Sequence, residues 1–212
     1  MSLHPQRKWK PAIYSVIILL GVWAILPIGM NYLFDSSDTI GLHPASTEMQ
    51  YGILGQQAPE LNLTNWIDGD GKSMDPVKLN DYRGKVIFLY FFQDWCPGCR
   101  RVGFPTLQKL TQAFKNVDQV KFFAVQTVFE GYDYNSQDKL RKNQLEWDLK
   151  IPMAHAPGNP RNHEIPEIMK KYRSGGTPWK VIIDPQGKVV YNHFHIEPPR
   201  AVALIERLLP EG

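Results

Sequence analysis

Two runs of this chain leave little freedom in how it folds. Val86 to Phe92 is apolar or aromatic at every position, and Val120 to Val128 is apolar apart from Lys121, Gln126 and Thr127. Side chains along a strand point alternately to opposite faces, so a strand can be apolar throughout only when both faces are covered. Both runs are therefore expected to be central strands of a sheet with helices packed on its two sides.

The flanking pattern agrees. Leu61 to Ile67 alternates like a strand and runs into the turn sequence Asp68-Gly69-Asp70-Gly71. A helix is expected from Cys96 to about Asn116, with Leu107, Leu110 and Phe114 on one face and a kink at Pro105. Asp138–Trp147 and Ile165–Tyr172 read as further helices, and Ile151–His155 as a short strand. Trp179–Ile183 and Val189–Phe194 read as strands of a hairpin turned by Asp184-Pro185-Gln186-Gly187-Lys188. After Pro198-Pro199, the residues Ala201, Leu204, Ile205, Leu208 and Leu209 mark the apolar face of a last helix. The order is that of an α/β fold with a mixed, partly antiparallel sheet.

The N-terminal part is different in kind. Arg7, Lys8 and Lys10 precede Ala12 to Met30, a stretch without a charge. About 20 such residues suffice to cross a hydrocarbon core ~30 Å thick as a helix. Basic residues before the span, with Asp35 and Asp38 after it, favour a cytoplasmic N-terminus and an exported remainder. No small-x-small cleavage site follows the span, so an anchor is favoured over a removed signal peptide. The expected organisation is a short cytoplasmic segment (1–10), a transmembrane anchor (11–34), a linker (35–57) and one folded domain (58–212). A net charge of +3 with scattered basic residues gives no reason to expect a nucleic-acid partner.

Cys96 and Cys99 are the only two cysteines of the 212 residues. They lie in Trp95-Cys96-Pro97-Gly98-Cys99, between a strand-like run and a helix-like one, the setting of a redox pair. With no second cysteine pair, a structural zinc site is not expected, nor is any bound cofactor. If Cys96 caps the helix, Pro97 takes the first helical position and the next free amides point toward the Cys96 sulfur. A helix N-terminus favours the thiolate, which makes Cys96 the expected nucleophile and Cys99 the resolving thiol. A disulfide closing so short a loop would add little stability, which argues against a purely structural role.

Trp95-Cys96-Pro97-Gly98-Cys99, taken with Gly175-Gly176-Thr177-Pro178 before Trp179-Lys180-Val181-Ile182-Ile183-Asp184, resembles the thioredoxin fold. With the anchor and an extra helical segment between strands, Ala58 to Leu209 resembles the membrane-tethered TlpA/ResA-type thiol-disulfide oxidoreductases. The resemblance implies that Thr177-Pro178 is a cis bond lying against the cysteines, where the backbone can bond a bound peptide, and that Trp95 lines the same surface. It also implies exchange of a Cys96–Cys99 disulfide with protein thiols outside the cytoplasm of a bacterial cell, in the periplasm or its equivalent. A reductase role, for instance in cytochrome c maturation, with a membrane electron donor, is the favoured direction; Pro97 also resembles more oxidising relatives.

The chain departs from that pattern in places. Where relatives often carry a buried acid or amide, six residues before the first cysteine, this chain has Tyr90. The acid found soon after the second cysteine is absent from Arg100-Arg101-Val102-Gly103-Phe104, and this segment is one residue longer before Pro105. Asp94 and Glu130 are the positional candidates for a proton-moving group, although both are expected to be solvated surface carboxylates. Arg100 and Arg101 are expected to be solvated helix charges, and Phe129, Tyr132 and Tyr134 loop or core packing.

Two other functions fit parts of the pattern. A Sco-like copper chaperone would pair the cysteines with His155, His163, His193 or His195, since thiolates suit Cu(I); Sco cysteines are spaced one residue wider. His193 and His195 are expected on one face of a strand, half-exposed. A peroxiredoxin-like thiol peroxidase would place a hydroxyl at Gln93 and a proline at Leu89, and neither is present.

Overall fold

In the computed structural model, which describes residues 51–210, Val86–Phe92 forms strand β3 and all seven of its residues are buried. The other strands are β1 (Asn65–Ile67), β2 (Ser73–Met74), β4 (Val120–Val128), β5 (Met153–Pro157), β6 (Trp179–Ile183) and β7 (Val189–His193). They form one sheet in the order β2-β1-β5-β4-β3-β6-β7. β3, β4 and β5 run parallel, while β6 pairs antiparallel with β3, β7 with β6, β1 with β5 and β2 with β1.

Both faces of β3 are covered, which accounts for its unbroken apolar sequence. Phe88, Tyr90 and Phe92 pack with Cys99, Phe104, Leu107, Leu110, Ala201 and Ile205 on one side. This layer is built by α1 (Phe104–Ala113) and α4 (Pro198–Leu208), with Leu140 of α2 (Lys139–Glu146). Ile87, Leu89 and Phe91 pack on the other side with Trp179, Val181 and Ile168, Met169 and Tyr172 around α3 (Glu167–Lys171).

Several expected boundaries move. The strand expected over Leu61–Ile67 shrinks to Asn65–Ile67, because Asn62 takes φ 50° and breaks the extended run. The turn at Asp68 forms as expected: its carboxylate accepts from the backbone N–H of Asp70 and Lys72, both at 2.9 Å. Met153–Pro157 is shifted two residues from the expected strand, and α3 is shorter than its apolar pattern. The last helix begins at Pro198 itself, with both prolines in the first turn, where no N–H is needed.

The largest correction concerns the helix after the cysteines. It is not one helix kinked at Pro105: Cys99–Gly103 is a π-helical turn, and α1 follows with Pro105 in its first turn. The N–H of Phe104 donates to the Cys99 carbonyl, five residues back. A π-turn takes up one extra residue, and the segment has one extra residue before Pro105. The helix ends at Ala113, before the expected Asn116.

The expected transmembrane anchor and most of the expected linker lie outside the described residues, and among the described residues no helix is long and apolar enough to cross a membrane. Residues 51–57, inside the expected linker, pack on the sheet: Ile53 is buried, Gly55 N donates to Val189 O (2.8 Å) and Val189 N to Gln56 O (2.9 Å).

Candidate active site

β3 ends at Phe92, and a turn delivers Cys96 to the start of the helical segment, where Pro97 and Gly98 are already helical. Cys96 N donates to Gln93 O (3.2 Å), Arg100 N donates to Cys96 O (3.1 Å), and Cys99 N points at Cys96 Sγ (3.4 Å). Both thiols are free; Cys96 is 8% exposed and Cys99 is fully buried. The sequence therefore places the outer thiol at the helix cap and the second thiol one turn deeper, as expected.

Across from the pair, Thr177-Pro178 is a cis peptide. Cys96 Sγ lies 3.5 Å from the Thr177 carbonyl oxygen. Gly98 lies against the same proline, where a Cβ would stand 3.0 Å from Pro178 Cδ and crowd the ring. Trp95 is 42% exposed and rests on Gly131, where a Cβ would come 2.7 Å from the indole Nε1. Thus Cys96, Thr177 and Pro178 come together, with the exposed Trp95 next to Cys96 in the chain.

The two thiols are driven apart electrostatically. The Cys96 thiol is lowered to about 5, chiefly by a hydrogen bond from the Cys99 side chain, with the Cys99 and Gly98 backbone and Thr177 adding to it against partial burial. Burial pushes Cys99 strongly upward, and the neighbouring Cys96 sulfur adds to the rise. Such a pair presents one ready thiolate and one reserved thiol.

Tyr90, at the position of the missing acid, is fully buried beneath the pair, and burial raises its phenol well above the ordinary value. Its hydroxyl donates to the Cys99 carbonyl (3.4 Å) and reaches the Cys99 side chain. Gly103 of the π-turn leaves room for it: a Cβ there would lie 2.0 Å from Tyr90 Oη. Directly opposite Tyr90 in the β3–β6 register stands Lys180, also fully buried. Sequence reasoning missed Lys180, although a single charge within Trp-Lys-Val-Ile-Ile was a visible signal.

Asp94 requires a correction. It is not a solvated surface carboxylate but is buried, accepting from Asn143 Nδ2 (2.9 Å) with Arg100 at 3.6 Å and Lys142 at 3.8 Å. Its backbone N–H donates to Asn135 Oδ1 (2.7 Å). Helix α2 brings Asn143 and Lys142 to it, a contact no local pattern reveals. Arg100 is likewise tied down, to Glu146 and over the Trp147 ring. Glu130 and Arg101 are exposed.

His155 bonds Gln126 (3.1 Å), and burial lowers its pKa. His193 ends β7, whereas His195 lies beyond the strand and pairs with Glu197 (2.6 Å). Among the described residues, no three His, Cys, Asp or Glu side chains are grouped so as to hold a metal ion.

Residues 54–192 match the AhpC/TSA family. The thiol-disulfide oxidoreductase ResA of Bacillus thuringiensis is 30% identical over 138 residues, covering 65% of this chain and 67% of that protein. A crystallised thioredoxin-like superfamily protein superposes with a TM-score of 0.64 at 33% identity, over 74% of this chain and 97% of its own. Peroxiredoxin Bcp of Bacillus subtilis is 36% identical over 98 residues, 45% of this chain and 52% of that protein.

Proposed function

This chain belongs to the AhpC/TSA family, has a thioredoxin-like fold and is a protein thiol-disulfide oxidoreductase, and from that premise we propose that it works as a membrane-anchored reductase of protein disulfides on the extracytoplasmic side of a bacterial cell. The uncharged stretch Ala12–Met30, with basic residues before it, supports the anchor and the orientation. One observation carries the chemical reading: a thiol lowered to about 5 stands at the helix cap, 3.5 Å from the carbonyl before a cis-proline, with a second, wholly buried thiol behind it.

In this reading the Cys96 thiolate attacks a disulfide of the partner. The partner's S–S bond breaks, one partner sulfur leaves as a thiolate, and Cys96 is joined to the other. Cys99 then loses its proton and attacks Cys96 Sγ, forming the Cys96–Cys99 disulfide and releasing the partner's second thiolate. The partner gains two electrons and the chain loses them; a membrane electron donor restores the dithiol. Thr177 and Pro178 form the backbone rim on which an extended peptide lies, and Trp95 flanks it.

Trapping tests the assignment. In the full chain, Cys99→Ser is expected to accumulate a mixed disulfide with a partner through Cys96, and Cys96→Ser none. Equal trapping by both variants, or by neither, refutes the roles.

The likeness to peroxiredoxin Bcp supports a second reading, a thiol peroxidase. Peroxide would oxidise Cys96 to a sulfenic acid, and Cys99 would condense with it, releasing water. Stoichiometric consumption of hydrogen peroxide by the reduced chain, lost in Cys96→Ser, would favour this reading over the first.

A further inference from the structure

Lys180 is a buried charge that the reaction above leaves without a task. It lies in β6 directly opposite Tyr90, and directly opposite residues of an antiparallel pair project to the same face. That face also carries Cys96 and Cys99. Its Nζ donates to the Phe194 carbonyl (2.8 Å) and sits 5.9 Å from the centre of the Tyr90 ring. Among the described residues no carboxylate forms a salt bridge with it. A lysine buried without an acid is expensive to keep, and replacing it by an apolar residue is expected to favour folding.

The titratable groups facing it from its neighbours are few. β3 supplies Tyr90, the segment after it supplies Cys96 and Cys99, and β7 supplies Tyr191 of the same layer, while His193, its register partner, stacks instead on the Trp179 ring at 6.2 Å. Of these, Cys99 is the one whose negative charge acts on Lys180, while burial lowers the lysine to about 8. Tyr90 touches Cys99 and lies under the ammonium, so it bridges the two.

We propose that Lys180 is the residue that balances the charge on Cys99 during resolution, in place of a buried carboxylate. It acts through Cys99 and is a positioning residue. The proposal rests on the reading of Cys96 as attacking thiol and Cys99 as resolving thiol. In the resting pair Lys180 is an ammonium and Cys99 a thiol. The active pair is one proton poorer: an ammonium beside a thiolate, with Tyr90 as hydrogen-bond donor to Cys99. Cys99 then attacks Cys96 Sγ, the Cys96–Cys99 bond forms, and the bond from Cys96 to the partner breaks. The electron pair leaves on the partner's sulfur, which takes a proton from solvent. The partner disulfide is the oxidant throughout.

Ellman's reagent separates the two steps on the full chain. Mixed with the reduced protein, it releases one thionitrobenzoate as Cys96 attacks and a second as Cys99 resolves. In Lys180→Met, which is unbranched and one atom shorter, the first phase should be unchanged and the second slowed about tenfold or more at neutral pH, since an opposite charge shifts a thiol by ~1–3 pKa units. The pH profile gives a readout that a structural role would not move. The wild-type second phase should rise and then level once Lys180 and Cys99 have together lost one proton; in Lys180→Met it should keep rising without levelling. Lys180→Gln should behave like Lys180→Met. A second phase of unchanged rate and profile in both variants overturns the proposal, as does equal slowing of both phases in both. No first phase in the wild-type chain would instead sink the assignment of Cys96.

Discussion

Replacing Cys99 by alanine should raise the pKa of Cys96 by ~1–2 units. The Cys96 thiolate is held at about 5 against an ordinary 9.0, and the largest single contribution is the hydrogen bond from the Cys99 side chain. A hydrogen bond to a charged group is worth ~1.5–3 kcal/mol, which at ~1.36 kcal/mol per unit corresponds to the predicted shift. Cys96 is only 8% exposed, so water screens the interaction little and the whole of that range is open. The Cys99 backbone N–H and Gly98 remain, so the variant should still titrate well below 9.0. Alkylation by iodoacetamide, followed across pH by intact mass, reads this directly, since buried Cys99 stays protonated in the wild-type chain. A variant with the wild-type midpoint would refute the hydrogen-bond argument, and a wild-type midpoint near 9 would refute the whole electrostatic account of the site. The same shift has a redox consequence. At pH 7 a thiol at about 5 is favoured over one at 9.0 by ~2 units, or ~2.7 kcal/mol, which makes the couple more oxidising by ~60 mV.

Three more outcomes follow from the packing. Gly103→Ala puts a Cβ 2.0 Å from Tyr90 Oη in an ordinary helical conformation, so overpacking alone should cost ~1–3 kcal/mol in urea unfolding, partly recovered by adding Tyr90→Phe; no recovery would place the strain elsewhere. Asp94→Ala removes the acceptor of Asn143 and leaves Arg100 and Lys142 without a buried counter-charge, and should lower stability by ~1–3 kcal/mol without abolishing the first phase with Ellman's reagent. Lys180 is lowered from 10.5 to about 8, so below pH 8 the folded chain carries a buried charge that the unfolded chain solvates. As pH rises from 8 to 10.5 the unfolded state binds the extra proton, and this residue's penalty, at most ~3 kcal/mol, disappears. Lys180→Met should therefore be more stable than the wild-type chain at pH 7, with the difference shrinking over that window; a variant less stable at pH 7 would contradict this.

The central strands were legible because burial on both faces writes itself into every residue: β3, β4 and β6 have the boundaries their apolar runs imply. Elements at the margins were less legible, because there a single backbone choice decides. Asn62 in the left-handed region removes half of the expected first strand. The cysteine pair and the cis-proline are local motifs, and the structure brings them together. Lys180 and Asp94 were hidden for a different reason. Their surroundings come from elements distant in the chain, the β3–β6 register for one and the docking of α2 for the other.

The π-turn at Cys99–Gly103 separates two demands on one helix. Inserting a residue into an α-helix turns everything beyond it by ~100°, which would swing Leu107 and Leu110 out of the core or, held from the other end, swing the thiols away from Pro178. The wider turn absorbs the mismatch locally, so the hydrophobic phase of α1 and the angular setting of Cys96 are fixed independently. The reactive end can therefore be re-aimed by changes in length upstream of Pro105 while the buried face of the helix keeps its seat.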